Sequence, residues 1–407
     1  MELLHPRCAG LDVHKDTVVA CVRLAADNKY TMHLETFSTT TDGLLSLANW
    51  LEGHQVDHVA MEATGVYWKP VWHILEGSFE LLLANPQHIK SVPGRKTDMK
   101  DAQWIADLHA HGLIAASFVP PEPIQDLRDL TRTRKQLVRE KVQHTQRIQK
   151  VLQDCNIKLD SVLSDITGKS GREMLRAMIK GETNSKRLAD LACGTARNKL
   201  PALQQALRGK VRPHHRGLLR IHLDLLESIE DSIKEVDDLL GKALGAMTAQ
   251  RDRLTTIPGV SDQVALTIIA EIGTDMSKFP TADHLISWAG LCPRNDESAG
   301  KKRSTRLRKG DPWLKAMLVQ AAWAAARTKG TYLRAQFMRL TRRGPKKAVV
   351  AVAASILTAA YYILRDGVTY VDLGAEYFNK RDEEKVVARL TKRIRDLGYD
   401  VEAKKAA

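Results

Sequence analysis

The sequence predicts an α/β plus α protein, with an N-terminal domain of mixed strands and helices followed by two mostly helical regions. Three observations lead there. Short apolar runs joined by polar turns crowd the first part of the chain. Long amphipathic stretches with helical spacing take over after Pro120, Pro121 and Pro123. A chain of 407 residues also exceeds what one core comfortably holds, so two or three domains are expected. The expected divisions are 1–120, 121–250 and 251–407.

Residues 8–13 (CAGLDV), 17–24 (TVVACVRL) and 31–37 read as three strands of an antiparallel meander, with the turn residues Asp27 and Asn28 before the third. Leu44, Leu45, Leu47, Trp50 and Leu51 then recur at helical spacing. Residues 56–61 return as a buried strand ending at Glu62, followed by a helix over 71–75 and a strand over 80–83. A meander followed by alternating helices and strands is the ribonuclease H-type order. From Ile124 to residue 163 the chain reads as a helix rich in Arg, Lys and Gln, and residues 218–247 form a second long helix. The two could pair as an antiparallel or intersubunit coiled coil, and residues 181–210 between them suit shorter helices and loops. The third region opens near Arg253 and runs through a Gly/Pro/basic loop (290–312) into helices over 313–328 and 348–364. It ends in a basic amphipathic helix over 383–397.

Lys and Arg total 62 against 48 Asp and Glu, a net charge of +14 that favours a polyanionic partner over a merely basic protein. The apolar fraction of 43% argues against wholesale disorder. Cys8, Cys21, Cys155, Cys193 and Cys292 are scattered without a CxxC pair or zinc spacing, so reduced thiols in a cytoplasm are expected. The N-terminus has no apolar run suited to a signal peptide. The apolar stretch 348–364 falls short of the roughly 20 residues of a spanning helix, so it reads as a core helix and no membrane partner is expected.

Four acids carry the chemistry. Asp12 sits inside an apolar strand, where a charge is costly unless it is paired, turned to solvent or bound to metal. Glu62 ends a second strand, at the edge where open α/β sheets place their sites. Asp98 and Asp101 lie three apart, so one helical face presents both. Together they could form an oxygen cage for Mg²⁺ or Mn²⁺, hard cations that choose carboxylates and can clamp a phosphodiester. Each alone suits a solvated helix face or turn, and Asp16 and Asp107 are nearby competitors.

Ile257-Pro258-Gly259-Val260 before an apolar helix resembles a helix-hairpin-helix turn, whose backbone N–H groups can hold a phosphate; Pro-Gly also simply ends helices. Trp288 and Trp313, expected as core anchors, flank a loop crowded with Arg294, Lys301, Lys302, Arg303, Arg306, Arg308 and Lys309. Such cations neutralise backbone phosphates and release counterions. Ser298, beside Ala299-Gly300, stands in this field as a candidate nucleophile, although loop serines are usually turn formers. Ser304 and Thr305 are its rivals.

The blocks GLDVHKD, VAMEATGVYW, NPQHIKSVPGRKTDMKDAQWIADL, TIPGVSDQVALTIIAEIG, GLCPRNDESAGKKRSTRLRKGDPWLKAML and YVDLGAEYF span nearly the whole chain. In them the sequence resembles the DEDD-type insertion-sequence transposases that act as bridge-RNA-guided serine recombinases. The resemblance implies a Holliday-junction-resolvase-like, ribonuclease H-fold domain whose acidic tetrad falls on Asp12, Glu62, Asp98 and Asp101, with Mg²⁺ or Mn²⁺ as cofactor. It implies a C-terminal transposase domain with Ser298 as nucleophile, where this chain reads Ser-Ala-Gly and some members have Ser-Gly. Its expected partners are target and donor double-stranded DNA, a noncoding guide RNA, and further copies forming dimers and a tetramer. The expected setting is a bacterial cytoplasm, at the nucleoid. The competing readings are a metal-dependent junction-resolving nuclease without a covalent serine intermediate, and a nonenzymatic nucleic-acid scaffold.

Overall fold

In the computed structural model, the described residues are 3–401 apart from 27–28, 64, 94–99, 294–295, 299–300, 305 and 382. The chain divides into two compact units at Val119 and Pro120.

The first unit contains β1 (Arg7–Val13), β2 (Thr17–Ala26), β3 (Lys29–Ser38), α1 (Thr41–Gly53), β4 (His58–Glu62), α2 (Trp68–Leu75), β5 (Glu80–Ala84), α3 (Pro86–Ser91) and α4 (Asp101–Ala110). The sheet order is β3-β2-β1-β4-β5, with β2 antiparallel to its neighbours and β1, β4 and β5 parallel to one another. That is the meander-then-crossover order expected from the apolar runs. Strand periodicity assigns the faces. Ala9, Leu11, Val13, Val59 and Met61 point into one core with Leu44, Leu47, Leu51, Val71 and Leu75 of α1 and α2. The alternate residues face α4, where Ala60 meets Trp104, Ile105 and Leu108. Gly10 is required there. A Cβ on it would lie 2.3 Å from the Ala106 nitrogen and 2.4 Å from the Ala102 oxygen, so helix backbone rests directly on strand backbone.

The second unit begins with α5 (Glu122–Asp154), α6 (Lys169–Lys180), α7 (Ser185–Asp190), α8 (Leu200–Ala206) and α9 (Pro213–Leu244). The expected helix to residue 163 ends earlier. Cys155 caps it and Asn156 turns left-handed at φ 58°, which a short polar side chain tolerates. Arg134 pairs with Asp237 and Lys141 with Glu230, so α5 and α9 run antiparallel. At one end they share a core with α6–α8, built on Ile148, Leu152, Met174, Leu203 and Leu223.

The unit continues through α10 (Thr248–Thr255), α11 (Asp262–Ile272), α12 (Ala282–Trp288), a hairpin of β6 (Asp296–Ser298) and β7 (Lys301–Ser304), and α13 (Pro312–Ala325). It closes with α14 (Tyr332–Leu340), α15 (Pro345–Asp366), α16 (Tyr377–Arg381) and α17 (Glu383–Asp396). Contrary to the expectation that the stretch 348–364 falls short of a spanning length, α15 has 22 residues and is by length and composition apolar enough to cross a membrane, because its helix begins before and ends after the apolar run. Val352, Ile356, Leu357 and Ala360 are nevertheless buried within the protein, and Tyr361 donates to the Phe279 carbonyl at 3.0 Å. Two further expectations need correction. The stretch 290–312 is not only loop, because short apolar content hid a two-stranded hairpin whose stem is closed by a Pro293–Leu307 bridge. Trp288 and Trp313 are half-buried rather than core anchors, since Trp288 packs on Phe279 and Trp313 faces arginines.

Candidate active site

The register of β1 on β4 pairs Leu11 with Met61, so the next residues, Asp12 and Glu62, lie side by side where the parallel strands end. Both follow residues that face α1 and α2, and therefore point to the α4 side. Asp101 is the first residue of α4, with Lys100 as the N-cap. A carboxylate there meets the positive end of the helix dipole. Asp12, Glu62 and Asp101 all line one cavity of about 290 Å³, closed by Ile89, Trp104 and Ile105. Helix packing through Gly10 thus fixes the distance between the strand-borne acids and the helix-borne one.

Two cavity residues escaped the sequence reading. His14 lies two residues beyond Asp12 and places its Nε2 3.3 Å from the Asp12 carboxylate. Lys90, on α3, also lines the cavity. The signal for His14 was its place two residues after Asp12 in DVHKD, just past the end of β1 at Val13. Lys90 had no such signal.

Asp98 lies outside the described residues. The competitors separate cleanly. Asp16 is exposed in the β1–β2 turn, where its carbonyl accepts from Thr39. Asp107 faces the buried Arg23 guanidinium at 3.2 Å and is a structural ion-pair partner, although Arg23 Nε is not aligned for a hydrogen bond. Among the described residues, no group of three or more His, Cys, Asp or Glu side chains is drawn together closely enough to hold a metal. The donors of the cavity are three carboxylates with the His14 imidazole beside Asp12 and no thiol, a set that suits a hard divalent cation better than a soft one.

Ser298 is the last residue of β6, paired with Lys301 across the hairpin. It is therefore a strand residue at a turn, not a residue in mid-loop. Ser304 Oγ accepts from the Arg306 amide at 3.2 Å, the local bond of a turn former. Thr305 and Arg294 lie outside the described residues. Lys301, Arg306, Arg308 and Lys309 are exposed, as phosphate contacts require, and Lys302 and Arg303 share β7 with Lys301. Gly259 lies in the 257–260 turn at φ 87°. A Cβ there would meet the Ala321 oxygen at 2.4 Å, so close packing on α13 already demands glycine.

Residues 9–157 match the family DEDD_Tnp_IS110, described as "Transposase", and residues 251–338 match "Transposase IS116/IS110/IS902 family". The chain belongs to the IS110 family of transposases. It is similar to the pilin gene-inverting protein of Moraxella bovis, at 25% identity over 88% of this chain and 95% of the relative. It is also similar to the transposase for insertion sequence element IS1111A of Coxiella burnetii, at 25% identity over 71% and 72% of the two chains. The transposase for insertion sequence element IS1328 of Yersinia enterocolitica is 28% identical over 65% and 69%. This IS110-family transposase is accordingly an enzyme that cleaves and rejoins DNA. The scaffold reading falls with that finding.

Proposed function

We propose that this transposase exchanges DNA strands through Ser298, with Asp12, Glu62, Asp98 and Asp101 forming the acidic centre. The observation that carries the proposal is the convergence of Asp12, Glu62 and Asp101, from three separate elements, on one cavity. A bound Mg²⁺ or Mn²⁺ would offset charge on the phosphodiester oxygens. Asp12 and Glu62 would hold it from the strand ends, Asp101 from the helix start, and Asp98 from the segment before α4. Ser298 Oγ would form a bond to phosphorus as the bond to a DNA oxygen breaks. Its proton passes to a base, the leaving oxygen takes one up, and phosphoester is traded for phosphoester without an energy source. Cations at Lys301, Lys302, Arg303, Arg306, Arg308 and Lys309, with Arg294, would seat the backbone phosphates.

A gene-inverting relative favours this reading over the junction-resolving nuclease, since inversion requires rejoining as well as cutting. Guidance by a noncoding RNA is part of the proposal, supported by basic surfaces suited to backbones rather than base edges. So is assembly into dimers and a tetramer, supported by the exposed apolar stripe Leu218, Ile221 and Leu225 on α9 and the antiparallel α5–α9 pair. Under this reading 1–120 bears the acids, 121–250 mediates assembly and 251–407 bears the serine, and the protein works at the nucleoid.

The test is recombination between matched DNA ends with RNA co-purified from the expressing cell. Ser298→Ala and Asp12→Ala are each expected to abolish strand exchange while retaining DNA binding. Wild-type protein should leave a covalent adduct on DNA after denaturation. Normal exchange by Ser298→Ala would refute the covalent serine, and cleavage without any adduct would return the nuclease reading.

A further inference from the structure

One opening in the second unit has no residue of the serine hairpin strands in its lining. It is a cavity of about 370 Å³ between α5, α11 and α13, within the size range of small-ligand pockets, roughly 300–1,000 Å³. Its lining is strongly cationic. Arg132, Arg134, Lys135 and Arg139 all reach it from α5, and Trp313 and Met317 from α13. Two of the four cations are neutralised. Arg132 makes a forked pair with Glu271 at 2.9 and 2.8 Å, and Arg134 pairs with Asp237. Lys135 and Arg139 have no carboxylate partner among the described residues. The Lys135 ammonium instead donates to the Met317 thioether at 3.5 Å, a weak acceptor. Burial, then Arg139 and Arg134, pushes the Lys135 amine down from its ordinary value, the mark of a cation lacking an anion. Over the Trp313 ring lie the guanidinium groups of Arg139 at 5.1 Å and Arg132 at 5.6 Å.

We propose that this cavity is a nucleotide subsite, taking one unpaired nucleotide of a single strand. Lys135 and Arg139 neutralise its phosphate, and its base packs against the Trp313 and Arg132 side chains that line the cavity. The chemistry matches on each count. Guanidinium planes and aromatic rings stack nucleobases without regard to sequence, and a half-buried amine without a carboxylate suits one phosphate. A cavity of this size admits a single splayed nucleotide and excludes a duplex. The inference goes beyond strand exchange, and it is read by binding alone. It therefore stands or falls apart from Ser298 and the four acids.

The experiment measures fluorescence anisotropy of labelled oligothymidylate, oligouridylate and a duplex of matched length, over a series of salt concentrations. Lys135→Ala/Arg139→Ala is expected to weaken both single strands about tenfold or more. It should also flatten the log–log salt slope by about 0.7 for each phosphate left unneutralised, with a much smaller effect on duplex. Ala316→Phe narrows the cavity without removing a charge, and should weaken single strands alike. Thermal unfolding of each variant verifies the fold, and the ratio of the two single strands identifies DNA or RNA as the source of the nucleotide. Equal losses for single strand and duplex, or wild-type binding by Ala316→Phe in a folded protein, would overturn the subsite.

Discussion

Gly10→Ala adds one methyl group on the strand that carries Asp12, and its consequence can be worked from distances. The new Cβ would lie 2.3 Å from the Ala106 nitrogen, 2.4 Å from the Ala102 oxygen and 2.9 Å from the Ala106 Cα, where ordinary contact begins at 3.4 Å. The shortfall is about 1 Å, and every atom it meets is helix backbone, so no side-chain rotation or trimming relieves it. Either α4 lifts from β1 or the strand bends. Overpacking of this kind costs about 1–3 kcal/mol. The larger effect falls on the site, because Asp101 rides on the first residue of α4 while Asp12 and Glu62 stay on the sheet. A misplacement of about 1 Å between cooperating groups can cost roughly a hundredfold in rate. Strand exchange should therefore fall on the order of a hundredfold, at a temperature where unfolding curves show the variant still folded. DNA binding should hold. Wild-type exchange by a folded Gly10→Ala protein would refute the argument that helix-on-strand contact sets the acid spacing.

Glu271 is fully buried on α11 and tied to Arg132 and Arg128, with Asp311 completing the group. Burial pushes its carboxyl up while the Arg132 hydrogen bonds pull it down, and the forked pair keeps it a partner for both arginines. Glu271→Ala should cost up to about 3–5 kcal/mol by removing the buried carboxylate that Arg128 and Arg132 share, with Asp311 remaining on Arg132, read as a lowered urea midpoint; an unchanged midpoint would show that the pair contributes nothing. At the opposite end of the sheet, His109 is buried beside His5 and His58, and burial followed by those two rings pushes it down to about 4. Glu80, which faces His58, is the carboxylate beside this group. A histidine held below its unfolded value contributes stability that is present above about pH 6.5 and lost as pH falls toward 4, at most about 3 kcal/mol. His109→Asn should therefore show less loss of stability than wild type between pH 6.5 and 4.5. Parallel pH profiles for the two proteins would contradict this.

Much of the first unit was legible because its signals are local. Alternation in CAGLDV and the turns around it gave strand, face and neighbour order, and Glu62 was marked by ending an apolar run. Helix ends were less legible. The stop at Asp154 depends on Asn156 adopting a left-handed turn, and nothing in its neighbourhood distinguishes it from the polar residues within α5. The β6–β7 hairpin was missed because DES and KKRS lack the apolar alternation by which strands are recognised.

Residue types and short-range periods are enough to show that acids end strands near the N-terminus, that a serine stands among cations, and that the charge favours a polyanionic partner. These properties survive without a fold. Which acids meet is settled by packing. Asp107 and Asp101 share a helix, yet one faces Arg23 and the other the cavity, because the 3.6-residue turn and the Gly10 contact fix which side of α4 meets the sheet. Packing likewise crowds Lys135 and Arg139 into one cavity beside Trp313, since helices distant in sequence are brought together by burial of their apolar faces and not by any pattern that spans them.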